Sequence, residues 1–190
     1  MDKSFQDFRW YGHRVFGVTG WKNSGKTTLA TRLIAELTAR GYRISSVKHA
    51  HHNCDIDKEG TDSYRHREAG SGEVALVAAG KRWAIMHEAR DDEETSLGEI
   101  LPRLAPCDLV LVEGYKTEPF PKIEVRRADA KHTTPIAPDD NRIVAVASDQ
   151  PELLEDAAGL DCFQIDDVKG MADMIVEQMG LEVARADGAH

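Results

Sequence analysis

Near the N-terminus, Gly20-Trp21-Lys22-Asn23-Ser24-Gly25-Lys26-Thr27-Thr28 constrains the chain more than any other stretch. It fits a glycine, four residues, then Gly-Lys-Thr, the pattern of a loop that wraps phosphate. Gly20 and Gly25 let the backbone curl until successive N–H groups point at one anion. Lys26 brings positive charge to the β- and γ-phosphates, and the Thr27 hydroxyl suits Mg²⁺. The flanks agree with this. Val15–Thr19 reads as a short buried strand, and Lys26–Ala39 as a helix whose N-terminus faces the anion. An ordinary Gly-rich turn is the competing explanation, and the strand and helix on either side weigh against it.

The rest of the chain alternates strand and helix patterns. Residues 1–12 read as an extension that Phe5, Phe8, Trp10 and Tyr11 could anchor. Leu29, Leu33, Ile34 and Leu37 recur at helical spacing and should face a sheet, and Gly41 stops that helix. Arg43–Lys48 then completes a βαβ unit. Thr61 or Asp62 caps a short helix to Ala69, ended by Gly70. Val74–Ala78 and Arg82–His87 form a predicted hairpin, with Trp83 and Met86 large for a solvent face. That hairpin is either a sheet extension or subunit contact, or it packs within one chain. The acidic run Asp91–Glu94 reads as a solvated cap on a helix from Thr95 to Leu104. Asp108–Gly114 is a continuous apolar run ending in an acid and a glycine, as a central parallel strand would be. Lys122–Val125, Arg142–Val146 and Cys162–Ile165 are further strands, and Val168–Met179 a closing helix. The expected fold is α/β in three layers, a P-loop NTPase-like architecture with a mainly parallel sheet and an added hairpin. One domain should span residues 13–180, with a loose tail over 181–190.

Composition excludes some classes of function. With 24 Lys and Arg against 33 Asp and Glu, the chain carries a formal charge of −9, which argues against a broad nucleic-acid surface. No apolar run approaches the roughly 18 residues of a membrane span. The first residues lack a charged-then-apolar signal segment, and Cys54, Cys107 and Cys162 are too few and scattered for a disulfide framework. The expectation is a cytoplasmic protein.

In an α/β sheet, ligands bind beyond the carboxyl ends of the strands. Glu113 sits where phosphate-binding proteins often place an acid near the metal; a salt-bridge or capping acid is the alternative. Gly114 would allow the chain to approach a ligand closely. The segment His49-Ala50-His51-His52-Asn53-Cys54-Asp55-Ile56-Asp57 is unusually rich in ligand types. Asp55, Asp57 and Asp62 are hard donors suited to Mg²⁺, with Lys48 and His49 neutralising phosphate charge and Arg65 in reach of the same pocket. His49, His51, His52 and Cys54 would instead suit a transition metal, although no Cys-x-x-Cys pair accompanies them. A plain polar loop is the third reading. Lys116 and Lys122 add positive charge for a second anionic substrate. Neither a Gly-x-Ser-x-Gly elbow nor a Gly-x-Gly-x-x-Gly fingerprint is present.

Taken together, the phosphate loop, Val47-Lys48-His49-Ala50-His51-His52, Asp55-Ile56-Asp57, Gly60-Thr61-Asp62-Ser63-Tyr64-Arg65, Ala69-Gly70 and Val112-Glu113-Gly114-Tyr115-Lys116 resemble the MobB family over roughly residues 13–170. That resemblance implies a GTP-binding accessory protein of molybdopterin-guanine dinucleotide biosynthesis. Such a protein assists the guanylyltransferase that joins GMP to molybdopterin, with weak GTPase activity at most. It also implies a homodimer and molybdopterin as a possible bound ligand. The phosphate site then falls on Gly20, Asn23, Ser24, Gly25, Lys26, Thr27 and Thr28, with Mg²⁺ near Thr27 and Glu113. The Asn-Lys-x-Asp guanine-reading motif of general GTPases is absent. Asp149, after a predicted strand, is the candidate in its place, because a carboxylate can accept from guanine N1–H and N2–H₂ together. No glutamine or arginine is identifiable as a group that orients water. The alternatives are a small-molecule kinase, for which Arg126-Arg127 is the nearest approach to a lid, and a metal-delivery GTPase using the histidine cluster.

Overall fold

The computed structural model describes residues 5, 7–50, 57–79, 82–88 and 95–182. In chain order its elements are β1 (Val15–Gly20), α1 (Lys26–Ala39), β2 (Ile44–Lys48), α2 (Asp62–Glu68), β3 (Glu73–Ala78), β4 (Arg82–His87) and α3 (Leu97–Ile100). There follow β5 (Leu109–Glu113), β6 (Lys122–Arg126), β7 (Ile143–Ser148), β8 (Asp161–Gln164) and α4 (Val168–Met179). Two compact units result, Met1–His49 with Leu101–His190, and Ala50–Ile100.

The first unit holds a six-stranded sheet in the order β2-β5-β1-β6-β7-β8. All its pairings are parallel. Strand alternation sorts the side chains into two faces. Phe16, Val18, Leu109, Leu111, Ile123, Val125, Ala145 and Ala147 share a core with Leu29, Leu33 and Leu37 of α1 and Met171, Ile175 and Met179 of α4. Each fully buried leucine there stabilises the fold by about 1.5–3 kcal/mol. The helix bounds expected for α1 and α4 are those observed, because Gly25 and Asp167 begin them and Gly41 and Gly180 lie just beyond their ends.

On the opposite face Gly17 pairs with Lys122 and Thr19 with Glu124. A Cβ on Gly17 would lie 2.6 Å from Phe120 and 2.8 Å from Lys122, so only glycine leaves room there. Lys122 therefore corrects the sequence expectation of positive charge for a second anionic substrate. It is fully buried and ion-paired with Asp140, since a strand inside a parallel sheet exposes neither face. The N-terminal residues are held by Phe5, whose N–H donates to the Gln178 carbonyl at 3.0 Å, and by Trp10 packing on Phe120; Tyr11 instead stays 55% exposed.

The second unit contains α2, α3 and an antiparallel pair, β3 with β4. Thr61 caps α2 by accepting from the Tyr64 N–H, and Gly70 follows the helix at φ +98°. The expected helix from Thr95 to Leu104 is shorter than its pattern. Regular helix covers only Leu97–Ile100 and passes into a 3₁₀ turn at Leu101–Arg103. Pro102 explains this, since it donates no N–H and disfavours helical geometry in the residue before it. The acidic run Asp91–Glu94 and the tail from 183 lie outside the described residues.

Candidate functional site

β1 is flanked by β5 on one side and β6 on the other, so the loop after it opens at the point where the sheet order reverses. The loop backbone is left-handed at Gly25 (φ +96°) and at Asn23 (φ +65°), a residue that tolerates such geometry. At Gly20 the constraint is space, because a Cβ would lie 2.5 Å from the Val125 carbonyl oxygen. Gly25 begins α1 without a capping side chain, and the first helical turn carries no acid. The positive end of α1 is thus left for an anion.

On the β5 side, four expected site residues come together. Thr27 Oγ1 donates to Glu113 Oε1 at 2.5 Å, and Lys48 Nζ donates to Thr27 Oγ1 at 3.2 Å. Lys48 also lies 3.5 Å from Glu113, its partner in the β2–β5 register. Lys26 Nζ donates to the Trp21 carbonyl at 2.8 Å. Burial holds the Lys26 ammonium below the usual lysine range; Glu113 opposes this, while Lys116 and Lys48 add to it. An arriving phosphate would relieve that like-charge crowding. His49 donates its N–H to the Glu113 carbonyl at 3.0 Å and stacks its ring on Tyr115 with centroids 4.6 Å apart. The close approach that Gly114 allows is to His49, since a Cβ there would lie 3.0 Å from His49 Cβ.

On the β6 side lies a cavity of about 180 Å³ beyond the ends of β6 and β7, lined in part by Trp21, Ser24, Glu124, Arg127, Asp149 and Gln150. Asp149 stands on its wall, its Oδ1 accepting the Ala128 N–H at 3.1 Å. Trp21 joins both sides of the loop. Its Nε1 donates to the Thr134 carbonyl at 2.6 Å, and Lys116 Nζ lies 3.6 Å from its ring centroid.

Glu124 shapes the cavity and was not anticipated from the sequence. It is 1% exposed, accepts the N–H groups of Ile136 and Ala137 at 2.9 Å each, and receives Arg126 Nη2 at 2.7 Å. Arg126 also pairs with Asp156 at 2.7 Å, and residues 127–142 contain no helix, so the two arginines form no lid. A signal was present in the sequence. Lys122, Glu124 and Arg126 alternate within an otherwise apolar strand, which places three charges on one buried face.

The remaining expected residues do not enlarge this picture. Asp57 is paired with Arg67 at 3.3 Å, and Asp62 with Arg65 at 3.7 Å, both within the second unit. His51, His52, Cys54 and Asp55 lie outside the described residues. Among the described residues no three His, Cys, Asp or Glu side chains are grouped to hold a metal ion, and no helix is long and apolar enough to cross a membrane.

Residues 15–149 match the family model MobB, "Molybdopterin guanine dinucleotide synthesis protein B". The chain is 45% identical over 167 residues to the molybdopterin-guanine dinucleotide biosynthesis adapter protein of Escherichia coli K12, covering 87% of this chain and 93% of that one. It is 46% identical over 139 residues to the protein of the same description from Haemophilus influenzae, covering 72% and 75%. The crystal structure of Bacillus subtilis MobB superposes with a TM-score of 0.64 at 26% identity, covering 89% of this chain and 98% of that one.

Glu124 yields a stability prediction. In Glu124→Gln, the carboxamide NH₂ replaces either the oxygen that accepts from Ile136 or the one shared by Ala137 and Arg126, and at least one buried donor loses its acceptor. The variant should unfold with about 1–3 kcal/mol less stability. Amide exchange at Ile136 and Ala137 should accelerate. Unchanged denaturation and exchange would mean that Glu124 does not hold the cavity wall.

Proposed function

The chain belongs to the MobB family, and from that premise we propose that it is a nucleotide-binding adapter in molybdopterin-guanine dinucleotide biosynthesis, holding GTP with Mg²⁺. The observation that carries this reading is the gathering of Lys26, Thr27, Lys48 and Glu113 around one phosphate loop. Polyphosphate suits the open helix N-terminus and the three lysine charges near it. Thr27 and Glu113 fit Mg²⁺ in donor type, a hydroxyl beside a carboxylate, and would hold it between them. The metal, when bound, neutralises phosphate charge; the protein's own part is to fix the phosphates and exclude alternative poses.

The cavity beyond β6 and β7 is the proposed seat of the base, with Asp149 accepting guanine N1–H and N2–H₂. Its Oδ1 already receives the Ala128 N–H, which orients the carboxylate. The role proposed for the protein is delivery, with GTP hydrolysis weak. It presents nucleotide to the guanylyltransferase that joins GMP to molybdopterin, and molybdopterin itself is a candidate second ligand toward Lys48 and His49.

Isothermal titration with GTP and ATP, with and without Mg²⁺, tests this. GTP should bind more tightly than ATP, Mg²⁺ should strengthen GTP binding, and Glu113→Gln should remove most of the Mg²⁺ increment. Asp149→Ala should bring the two affinities together. Preference for ATP, or phosphorylation of a small acceptor, would support the kinase reading instead.

A homodimer through the β3–β4 hairpin is part of the same proposal. Val77 pairs with Trp83 and Ala75 with Ile85, so these four side chains share one face. Trp83 is 72% exposed, Val77 76% and Ile85 55%. An apolar patch of this kind on an edge hairpin favours a partner of like surface. Sedimentation velocity should find a dimer that Trp83→Lys converts to monomer. A monomeric wild-type chain, or a Trp83→Lys chain that stays dimeric, would contradict it.

A further inference from the structure

Two consecutive arginines end β6 and have opposite environments. Arg126 is neutralised by Glu124 and Asp156. Arg127 has no salt bridge or side-chain hydrogen bond among the described residues, and its Nε is buried without an acceptor. The guanidinium lies against the phosphate loop. Its Nε is 3.2 Å, and its Nη2 3.7 Å, from the point a Cβ on Gly25 would occupy. Those two nitrogens are one side of the guanidinium fork, the side that grips an anion with two parallel N–H bonds. The charge is permanent, because a guanidinium does not deprotonate in a protein. A buried Nε–H with no protein acceptor beside an anion-binding loop therefore points to an acceptor that arrives with a ligand.

We propose that Arg127 is a phosphate ligand, gripping the nucleotide phosphate nearest the nucleoside from the side of the loop opposite Glu113. This rests on the nucleotide-binding reading given above. The assignment to that phosphate follows from the order of groups across the loop. The hydroxyl and carboxylate suited to a metal lie on the β5 side, and the cavity suited to a base lies on the β6 side. A phosphate chain running between them places its first phosphate beside the cavity, where Arg127 and Gly25 meet. Pairing of Gly20 with Val125 brings the end of β6 to this position. The absence of a side chain at Gly25 leaves room for the guanidinium.

The contact has a distinguishing consequence. The first phosphate is common to GMP, GDP and GTP and does not need Mg²⁺. Titration of the full chain with guanosine, GMP, GDP and GTP, with Mg²⁺ present and absent, reads it directly. Arg127→Ala should weaken GMP, GDP and GTP by a similar factor, roughly 10–100-fold for a lost charge-assisted contact, and leave guanosine unaffected. Arg127→Lys keeps the charge without the fork and should recover only part of that loss. Should the alanine variant fail to fold, the lysine variant decides, and wild-type affinity for all three nucleotides in it would overturn the proposal. A loss confined to GTP would assign Arg127 to the far phosphate, and an equal loss for guanosine would assign it to the base; either sinks this inference. Wild-type binding in Arg127→Ala does the same while leaving the nucleotide reading intact. A wild-type chain that binds none of these compounds removes both.

Discussion

β1 hydrogen-bonds in parallel to β5 on one edge and to β6 on the other, and those two pairings bring Glu113 and the chain that carries Glu124 and Arg127 to the phosphate loop. The first sets Glu113 beside Val18, within reach of Thr27 on α1. The second sets Val125 beside Gly20, so the chain leaving β6 passes the phosphate loop with Arg127 against Gly25. Central strands buried on both faces position the groups, and the loop between β1 and α1 supplies the curled backbone. The site is accordingly two-sided, with metal-suited donors on one flank and a cavity on the other.

Charge distribution follows the same division. The chain as a whole is acidic at −9, yet Lys26, Lys48 and Lys116 converge on the loop with Glu113 as the nearest acid. In a chain of net negative charge, a cluster of lysines concentrates anion binding where that cluster is. Trp21 ties this pocket to its surroundings. It accepts the Lys116 charge on its ring and donates its indole N–H to Thr134, so the loop and residues 131–135 are mechanically connected.

Much of this was legible in the sequence, for reasons that can be given residue by residue. The phosphate loop, α1, α4, Glu113 and the hairpin all carry short-range signals: glycine spacing, caps and a single period of apolar residues. What stayed hidden depends on pairing between distant segments. Lys122 reads as charge for an anionic substrate until β1 and β7 enclose its strand and Asp140 meets it. Glu124 secures the N–H groups of Ile136 and Ala137 across a long loop that has no pattern of its own. In the sequence Arg127 stands out only beside Arg126 as the nearest approach to a lid, whereas its surroundings come from Gly25, far earlier in the chain. Asp149 follows a recognisable strand, and the structure places it on the wall of a cavity whose other lining residues come from distant segments.

The account stands or falls on one nucleotide spanning both flanks of the loop. The crystal structure of this chain with GTP or a non-hydrolysable analogue and Mg²⁺ measures that directly. The account predicts phosphates on the loop N–H groups, the metal between Thr27 and Glu113, and guanine in the cavity beside Asp149. Phosphates bound with the base outside that cavity, or a metal held away from Thr27 and Glu113, would contradict it.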